Sequence, residues 1–123
     1  MDFSDIFEEI QPMVDFFRHL KRNANRVALF SNTNEMATEF IRKKFSFFSD
    51  FDATFLSYQH GLMKPDAALY RKVETSLERS GEDLFFIDDR PENIAAATER
   101  NWSGIIHTDA HQTIDAANTW LTA

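Results

Sequence analysis

Two adjacent carboxylates, Asp88 and Asp89, follow the apolar run at 85–87 and precede a proline by one residue. Like charges side by side at the end of a buried strand repel each other and resist desolvation, and a bound cation would stabilise them. Carboxylate oxygens suit Mg2+, and Asn93 follows one turn into the helix predicted to begin at Pro91. An N-cap aspartate beside a solvated one is the ordinary alternative, because Asp is favourable at a helix N-terminus without any metal. The pair therefore indicates either a Mg2+ site or a helix cap.

Polar groups that suit a phosphate follow two other apolar runs. Ser31 and Asn32 come after "VALF", where a hydroxyl, an amide and the backbone N–H groups of a starting helix favour an anion. Lys64 stands directly before Pro65, and its ammonium is a compact charge suited to a phosphoryl oxygen. Capping by Ser31 to Asn34, and a solvated surface Lys64, are the ordinary alternatives. A hydroxyl, a lysine and a carboxylate pair at three successive strand ends together indicate phosphoryl chemistry.

The elements that must position these groups alternate along the chain. Apolar runs predict strands, and amphipathic patterns predict helices, with Pro12 in the first turn of the first helix and Thr113 as N-cap of the last. The predicted strands are 26–32, 52–58, 84–88 and 104–108, and the predicted helices are 11–23, 34–45, 64–81, 91–101 and 113–123. This alternation predicts an α/β fold with a parallel sheet covered by helices on both faces. Such sheets bind ligands at the carboxyl ends of their strands, where the polar groups above lie.

Length and composition limit the classes of function. The 123 residues predict one domain, 1–123, and thirteen Phe predict an aromatic core. The net charge of -7 argues against a nucleic-acid partner, which would require a basic face. The sequence has no long apolar span, no signal-peptide pattern and no Cys, so we expect a cytoplasmic protein without a membrane partner. The histidines show no metal-ligand spacing and are interpreted as surface or strand-end residues: His19, His60, His107 and His111.

The order and spacing of these segments resemble the haloacid dehalogenase (HAD) superfamily of Mg2+-dependent phosphohydrolases. "VALFSN" resembles the second motif of that family, "GLMKPDAALY" the third and "FFIDDRPENIAAA" the fourth. The likeness runs from about Val27 to the C-terminus and is closest to sugar-phosphate phosphatases with a helical cap. It implies a three-layer, Rossmann-like parallel sheet, a Mg2+ cofactor and hydrolysis of a small phosphorylated metabolite through an aspartyl-phosphate.

The resemblance also implies roles for individual residues. Ser31 would hydrogen-bond the transferring phosphoryl group, and Lys64 would neutralise the phosphate and the nucleophilic carboxylate. Asp89 would be the more direct Mg2+ ligand, with Asp88 beside it or acting through water. The supporting polar groups would be Asn32 and Asn93.

The sequence departs from the family at its first motif, a strand ending in Asp-x-Asp that carries the nucleophile. Asp2 and Asp5 have the wrong spacing and follow no apolar strand, and Asp52 stands alone. We therefore expect the chain to begin inside or just after the cap, with 1–11 a remnant of the cap or linker. The first central strand and most of the cap would be missing, and the chain would be inactive by itself.

Loss of that strand has a structural consequence. In the resembled family it lies between the strands that carry the second and fourth motifs, so its removal exposes two strand edges whose backbone groups need partners. We expect one of three outcomes: the two strands pair directly, a segment of another chain fills the slot, or the chain is a piece of a longer protein. The second outcome predicts a homo-oligomer.

Other classes of protein fit less well. A non-catalytic module that binds phosphate and Mg2+, or that serves as a protein-interaction partner, remains the alternative function. A response-regulator receiver domain would have its acidic pair early and its lysine late, whereas Lys64 precedes Asp88 here. A dinucleotide-binding domain is disfavoured because three glycines supply no Gly-rich phosphate loop.

Overall fold

The chain forms two compact units, one ending at Leu56 and the other beginning at Ser57. The structure, a computed structural model, describes residues 3–123, with side chains from residue 11 onwards. The first unit contains α1 (Phe3–Arg22), β1 (Ala28–Ser31), α2 (Glu35–Lys44), a 3-10 turn (Ser46–Asp50) and β2 (Ala53–Leu56). The second contains α3 (Ser57–His60), α4 (Ala67–Leu77), a 3-10 turn (Gly81–Asp83), β3 (Phe85–Asp88), α5 (Pro91–Glu99), β4 (Ser103–Ile106) and α6 (Ala110–Leu121).

Each unit contains one parallel pair of strands. In the first, β1 pairs with β2, and Ser31 stands opposite Leu56 at the carboxyl end. In the second, β3 pairs with β4, and Asp88 stands opposite Ile106. Parallel neighbours need a crossover connection, which α2 provides in the first unit and α5 in the second. The predicted α/β class with parallel strands is confirmed, although each strand has only 4 residues.

Within each unit the two strands form a two-stranded sheet. The three outcomes expected from the absent first-motif strand stay predictions.

The first unit has an aromatic core in which α1 contacts the residue that joins the 3-10 turn to β2. Its buried apolar side chains are Val14, Phe16, Phe17, Phe48, Phe55 and Leu56. The ring of Phe17 lies 4.5 Å from that of Phe51. Asp52 joins α1 to the start of β1, because its carboxylate accepts from Lys21 Nζ at 2.5 Å and from the Val27 N–H at 2.6 Å. Burial acts to raise the pKa of Asp52, but these hydrogen bonds and the positive charge of Lys21 together lower it.

Pro12 lies inside α1 rather than in its first turn, so that prediction is wrong. A proline inside a helix removes one backbone donor. Burying a large apolar side chain contributes about 1.5–3 kcal/mol. Burial of Val14, Phe16 and Phe17 in the same helix therefore offsets the loss.

The predicted cap remnant at 1–11 falls mostly on residues whose side chains lie outside the described part, and it stays a prediction.

The second unit packs α4 and α5 on β3 around an aromatic cluster. The Tyr70 ring meets Phe86 edge-on at 6.0 Å and lies 5.2 Å from Trp102. Beside this cluster, Glu74 accepts two hydrogen bonds from Arg100 and one from Trp102 Nε1 at 2.8 Å. The hydrogen bonds from Arg100 lower the pKa of Glu74 most, against a smaller opposing effect of burial. α4 is thereby tied to the segment between α5 and β4.

Side-chain caps fix where several helices begin. The capping residues are Asn34 for α2, Asp66 for α4 and Asp109 for α6. Pro91 opens α5, as predicted. Thr113 is not the cap of the last helix: α6 begins three residues earlier, because Asp109 Oδ1 accepts from the Gln112 N–H at 2.9 Å.

The described chain, residues 3–123, contains no helix that is both long and apolar enough to cross a bilayer.

Candidate functional site

A buried ion pair lies at the carboxyl end of β3. Lys64 Nζ donates to Asp88 Oδ2 at 2.5 Å, and the two residues are only 9% and 8% exposed. Lys64 precedes α4 and Asp88 ends β3, so the pair joins two elements that are 24 residues apart in sequence. Burying two charges has a large desolvation cost unless each is paired and hydrogen-bonded. The structure thus brings Lys64 and Asp88 into direct contact, and their functional roles stay predictions.

The carboxylate of Asp88 is held by three donors. The Arg90 N–H donates to Oδ1 at 2.9 Å, and Asn93 Nδ2 lies 3.3 Å from Oδ1 and 3.2 Å from Oδ2. Burial opposes ionisation, but the hydrogen bond from Lys64 and those from the Arg90 N–H and Asn93 outweigh it. The pKa of Asp88 therefore lies below its usual value, and the carboxylate is charged at neutral pH.

The loop before α4 places Lys64 at this carboxylate. Gly61 adopts a left-handed φ of 64°, which glycine tolerates without a side-chain clash, directly after the short helix α3. The Asp66 N–H then donates to the Met63 carbonyl at 2.9 Å, so the backbone turns around Lys64. The ammonium also lies 5.4 Å from the centre of the Phe86 ring, within the range of a cation–π contact. The loop before α4 and two residues of β3, Phe86 and Asp88, thus hold the Lys64 ammonium in place.

Asp89 differs from Asp88 although the two are adjacent. Its side chain is exposed, and it lies between the end of β3 and the start of α5. Among the described residues, no three His, Cys, Asp or Glu side chains are grouped closely enough to form a metal site by themselves. Mg2+ commonly takes one or two protein carboxylates and completes its shell with water and substrate oxygens. An exposed carboxylate beside a buried, charged one is a donor set that fits such an ion.

Ser31 and Asn32 belong to the first unit. Ser31 is the last residue of β1 and is half-buried, and Asn32 follows it with an exposed side chain. Asn34, not Ser31, caps α2, since its Oδ1 accepts from the Ala37 N–H at 2.8 Å. The capping alternative therefore applies to Asn34, and the phosphate-binding roles of Ser31 and Asn32 stay predictions.

Tyr70 is a buried polar residue that the sequence did not single out. It is fully buried, and its hydroxyl donates to the Asn93 carbonyl at 2.6 Å. Burial, together with the negative charge of Asp88, raises the pKa of this phenol, so it remains a donor. One feature of the sequence could have indicated this role: Tyr70 lies next to the apolar face of a predicted helix, and a buried tyrosine usually has a hydrogen-bond partner for its hydroxyl.

His107 and Thr113 also lie near the carboxyl ends of β3 and β4. The His107 N–H donates to the Asp88 carbonyl at 2.8 Å, which extends the β3–β4 pairing by one residue. Its Nδ1 lies 2.7 Å from the hydroxyl of the fully buried Thr113. The interpretation of His107 as a strand-end residue agrees with this position.

Comparison with known proteins identifies the family. A sequence model described as haloacid dehalogenase-like hydrolase, in the hydrolase group, matches residues 4–99. The match spans more than half of the chain, and the parallel strand pairs with Lys64 and Asp88 at a strand end agree with it. The chain belongs to the haloacid dehalogenase-like hydrolase family, which confirms the resemblance seen in its motifs.

Two fungal proteins are similar in sequence. Sesquiterpene phosphatase astK of Aspergillus oryzae is 32% identical over 100 residues, which cover 80% of this chain and 50% of that protein. Drimenol cyclase drtB of Aspergillus calidoustus is 35% identical over 85 residues, covering 67% of this chain and 16% of that protein. The chain thus spans half the length of the first relative and a small part of the second.

Solved structures share the fold. A HAD family enzyme of Bacteroides thetaiotaomicron, in complex with magnesium and inorganic phosphate, matches with a TM-score of 0.71 and 27% identity over 79% of this chain and 52% of its own. A predicted HAD-like hydrolase of Porphyromonas gingivalis gives a TM-score of 0.75 and 26% identity over 90% of this chain and 57% of its own. An uncharacterised Corynebacterium glutamicum protein, at 18% identity with a TM-score of 0.80 over 94% of this chain and 84% of its own, supports the fold alone.

Proposed function

We propose that this chain provides the phosphate- and metal-binding part of a Mg2+-dependent phosphatase that acts on a small phosphorylated metabolite. The observation that carries the proposal is the buried Lys64–Asp88 pair at the end of β3, with the exposed carboxylate of Asp89 beside it. The phosphatase among the relatives, and the magnesium and phosphate bound by a structural neighbour, support this class of chemistry. We further propose a cytoplasmic location.

In this proposal each residue has a distinct role. Lys64 neutralises the charge of the phosphoryl group, because Asp88 holds its ammonium in a fixed position. Ser31 donates its hydroxyl to a phosphoryl oxygen, and Asn32 supports it from the residue after β1. Asp89 is the direct Mg2+ ligand, and Asp88 lies behind it with most of its acceptor capacity used by Lys64, Arg90 and Asn93. When bound, Mg2+ would supply positive charge at the phosphoryl oxygens.

The nucleophile of the family is not identified in this sequence, because no Asp-x-Asp follows an apolar strand. Formation of an aspartyl-phosphate would need that carboxylate from outside the segments described above. We therefore propose that the chain by itself binds phosphate in a Mg2+-dependent manner without turning over a phosphate ester.

The test measures binding and turnover separately. Inorganic phosphate binding is followed by 31P NMR with and without Mg2+, and hydrolysis of p-nitrophenyl phosphate is assayed in parallel. We expect Mg2+-dependent binding, which Asp89→Asn weakens about tenfold, as for loss of one charged ligand contact. Asp115→Asn is the matched control, because Asp115 is an exposed aspartate on α6 that lies beside His111. Phosphate binding that is indifferent to Mg2+ and to Asp89→Asn would contradict the proposal.

The alternative is a non-catalytic module that keeps the phosphate and Mg2+ pocket or serves in protein interaction. The two proposals differ when the first motif is supplied. A longer chain that adds an upstream apolar strand ending in Asp-x-Asp should hydrolyse the ester if this chain is part of a phosphatase. Binding that persists without turnover in that longer chain would favour the module.

A further inference from the structure

A line of buried hydrogen bonds connects the core of the second unit to Lys64. It begins at the Tyr70 hydroxyl, which donates to the Asn93 carbonyl at 2.6 Å. The Asn93 amide then donates to the Asp88 carboxylate, which accepts from Lys64 Nζ at 2.5 Å. Tyr70, Asn93, Asp88 and Lys64 are 0%, 3%, 8% and 9% exposed. Because water has little access to any of them, their polar groups need partners within the protein, and these hydrogen bonds supply such partners.

Packing alone does not explain the hydroxyl of Tyr70. Its ring already has aromatic neighbours in Phe86 and Trp102, and a phenylalanine ring would keep these contacts. A buried hydroxyl has a desolvation cost that a hydrogen bond offsets. The partner is the carbonyl of Asn93, in the first turn of α5, and the same residue presents its amide to Asp88. The hydroxyl therefore fixes the turn that orients Asp88.

We propose that Tyr70 is a positioning residue for Lys64, acting through Asn93 and Asp88. It holds the first turn of α5, the turn holds the carboxylate of Asp88, and the carboxylate holds the ammonium where a phosphoryl group would be bound. The importance of this position rests on the proposed function. The coupling between Tyr70 and Lys64 is a property of the folded chain and can be tested without it.

The first experiment reads the Lys64 ammonium directly. In chain labelled with 15N-lysine, a buried and ion-paired ammonium exchanges its protons slowly and gives a distinct signal, unlike solvated lysines. We expect Tyr70→Phe to accelerate this exchange about tenfold, as for loss of roughly one buried hydrogen bond. Tyr58→Phe removes the hydroxyl of the other tyrosine, which is 37% exposed, and should leave the signal unchanged.

A second control separates positioning from general loss of stability. Glu74→Gln weakens a part-buried network in the same unit but lies outside the line from Tyr70 to Lys64. It should lower the unfolding midpoint without changing the Lys64 exchange rate. A Tyr70→Phe spectrum identical to wild type at Lys64, or an equal change in Glu74→Gln, would overturn the proposal. A Lys64 ammonium that exchanges as fast as solvated lysines in wild type would overturn it as well.

The second experiment tests whether the position of the Lys64 ammonium affects phosphate binding. Inorganic phosphate is titrated into wild type, Tyr70→Phe and Tyr58→Phe in the presence of Mg2+, and we expect only Tyr70→Phe to weaken binding. A wild-type chain that binds no phosphate would contradict the proposed function, while the ammonium signal would still decide the role of Tyr70. Equal phosphate affinity in wild type and Tyr70→Phe would overturn the positioning role.

Discussion

At the scale of single residues, the Lys64–Asp88 pair shows how burial changes the value of an ion pair. Both side chains are less than a tenth exposed, whereas Lys21 and Asp52 form a pair with side chains about three-tenths exposed. In water the two pairs would be similar in strength. In the interior, loss of one partner leaves an uncompensated buried charge, which is far more costly than loss of a solvated contact.

We therefore predict that Lys64→Met lowers the free energy of unfolding by about 3–5 kcal/mol, because it strands the buried Asp88 carboxylate. Urea unfolding at neutral pH measures the change. The matched control is Lys21→Met, which should cost about 0–1 kcal/mol, since its pair with Asp52 is partly solvated. The double variant Lys64→Met with Asp88→Leu should recover part of the loss. A single Lys64→Met that costs no more than Lys21→Met would show that the pair is not buried in solution.

Acid should destabilise the chain, because it protonates carboxylates that are charged and hydrogen-bonded in the folded state. Asp88 and Glu74 have folded-state pKa values below their ordinary values of 3.8 and 4.5. Their contribution is fully present above the unfolded-state values and is lost as the pH falls through the folded-state ones, so stability should decline below about pH 4–5. Urea midpoints measured from pH 7 down to pH 3 give the curve. Glu74→Gln should flatten this decline, and a slope equal to wild type would contradict the assignment.

At the scale of elements, the first turn of α5 supports the Asp88 carboxylate of the candidate site. Pro91 can open the helix because the first backbone N–H of a helix has no intrahelical acceptor, so its absence costs little. The Arg90 N–H and the Asn93 amide donate to Asp88, and the Asn93 carbonyl accepts from the Tyr70 hydroxyl. The turn is therefore fixed by contacts on both sides. A helix start that would otherwise fray becomes a rigid support for one carboxylate.

Helix starts elsewhere depend on caps, and α6 gives a direct test. Asp109→Ala removes the carboxylate that accepts from the Gln112 N–H, so we expect a loss of about 1 kcal/mol in the free energy of unfolding. Asp115→Ala is the matched control in the same helix, because its ion pair with His111 is exposed and worth little. Thermal unfolding of the two variants makes the comparison. Equal effects would argue that Asp109 does not cap α6.

At the scale of the whole molecule, the strand that carries the first motif of the family is not identified in the sequence. In the resembled family that strand lies between the strands of the second and fourth motifs, so its absence would leave two strand edges that favour pairing with another chain. The family likeness adds that half of the sesquiterpene phosphatase relative lies outside the matched region. We therefore expect the chain to assemble, either with a second copy or with further polypeptide.

We predict that the chain self-associates through strand edges as its concentration rises. Sedimentation velocity across low to high micromolar concentration measures this directly. Met36→Glu is the control, because Met36 is 81% exposed on α2 and would drive association only by a general apolar contact. Association should survive this substitution. A monomer at every concentration would contradict the prediction, and dissociation by Met36→Glu would assign the contact to α2 instead.

The sequence by itself determined the class of fold, the family and the location of the polar groups. Apolar runs, prolines and the order of Ser31, Lys64 and Asp88 along the chain can be identified without knowledge of distant contacts. Element ends were less accurate, as the start of α6 at Ala110 rather than Thr113 shows. Asp109 caps this helix, whereas Thr113, the predicted cap, is a buried residue inside it.

The tertiary structure alone decided which carboxylate is buried and what holds it. Asp88 and Asp89 are identical in type, but successive side chains at a strand end point to different sides, and only Asp88 meets Lys64. The bond from Tyr70 to the Asn93 carbonyl spans 23 residues and follows no sequence period. Such contacts arise from packing between elements, so they become visible only when the elements are placed together.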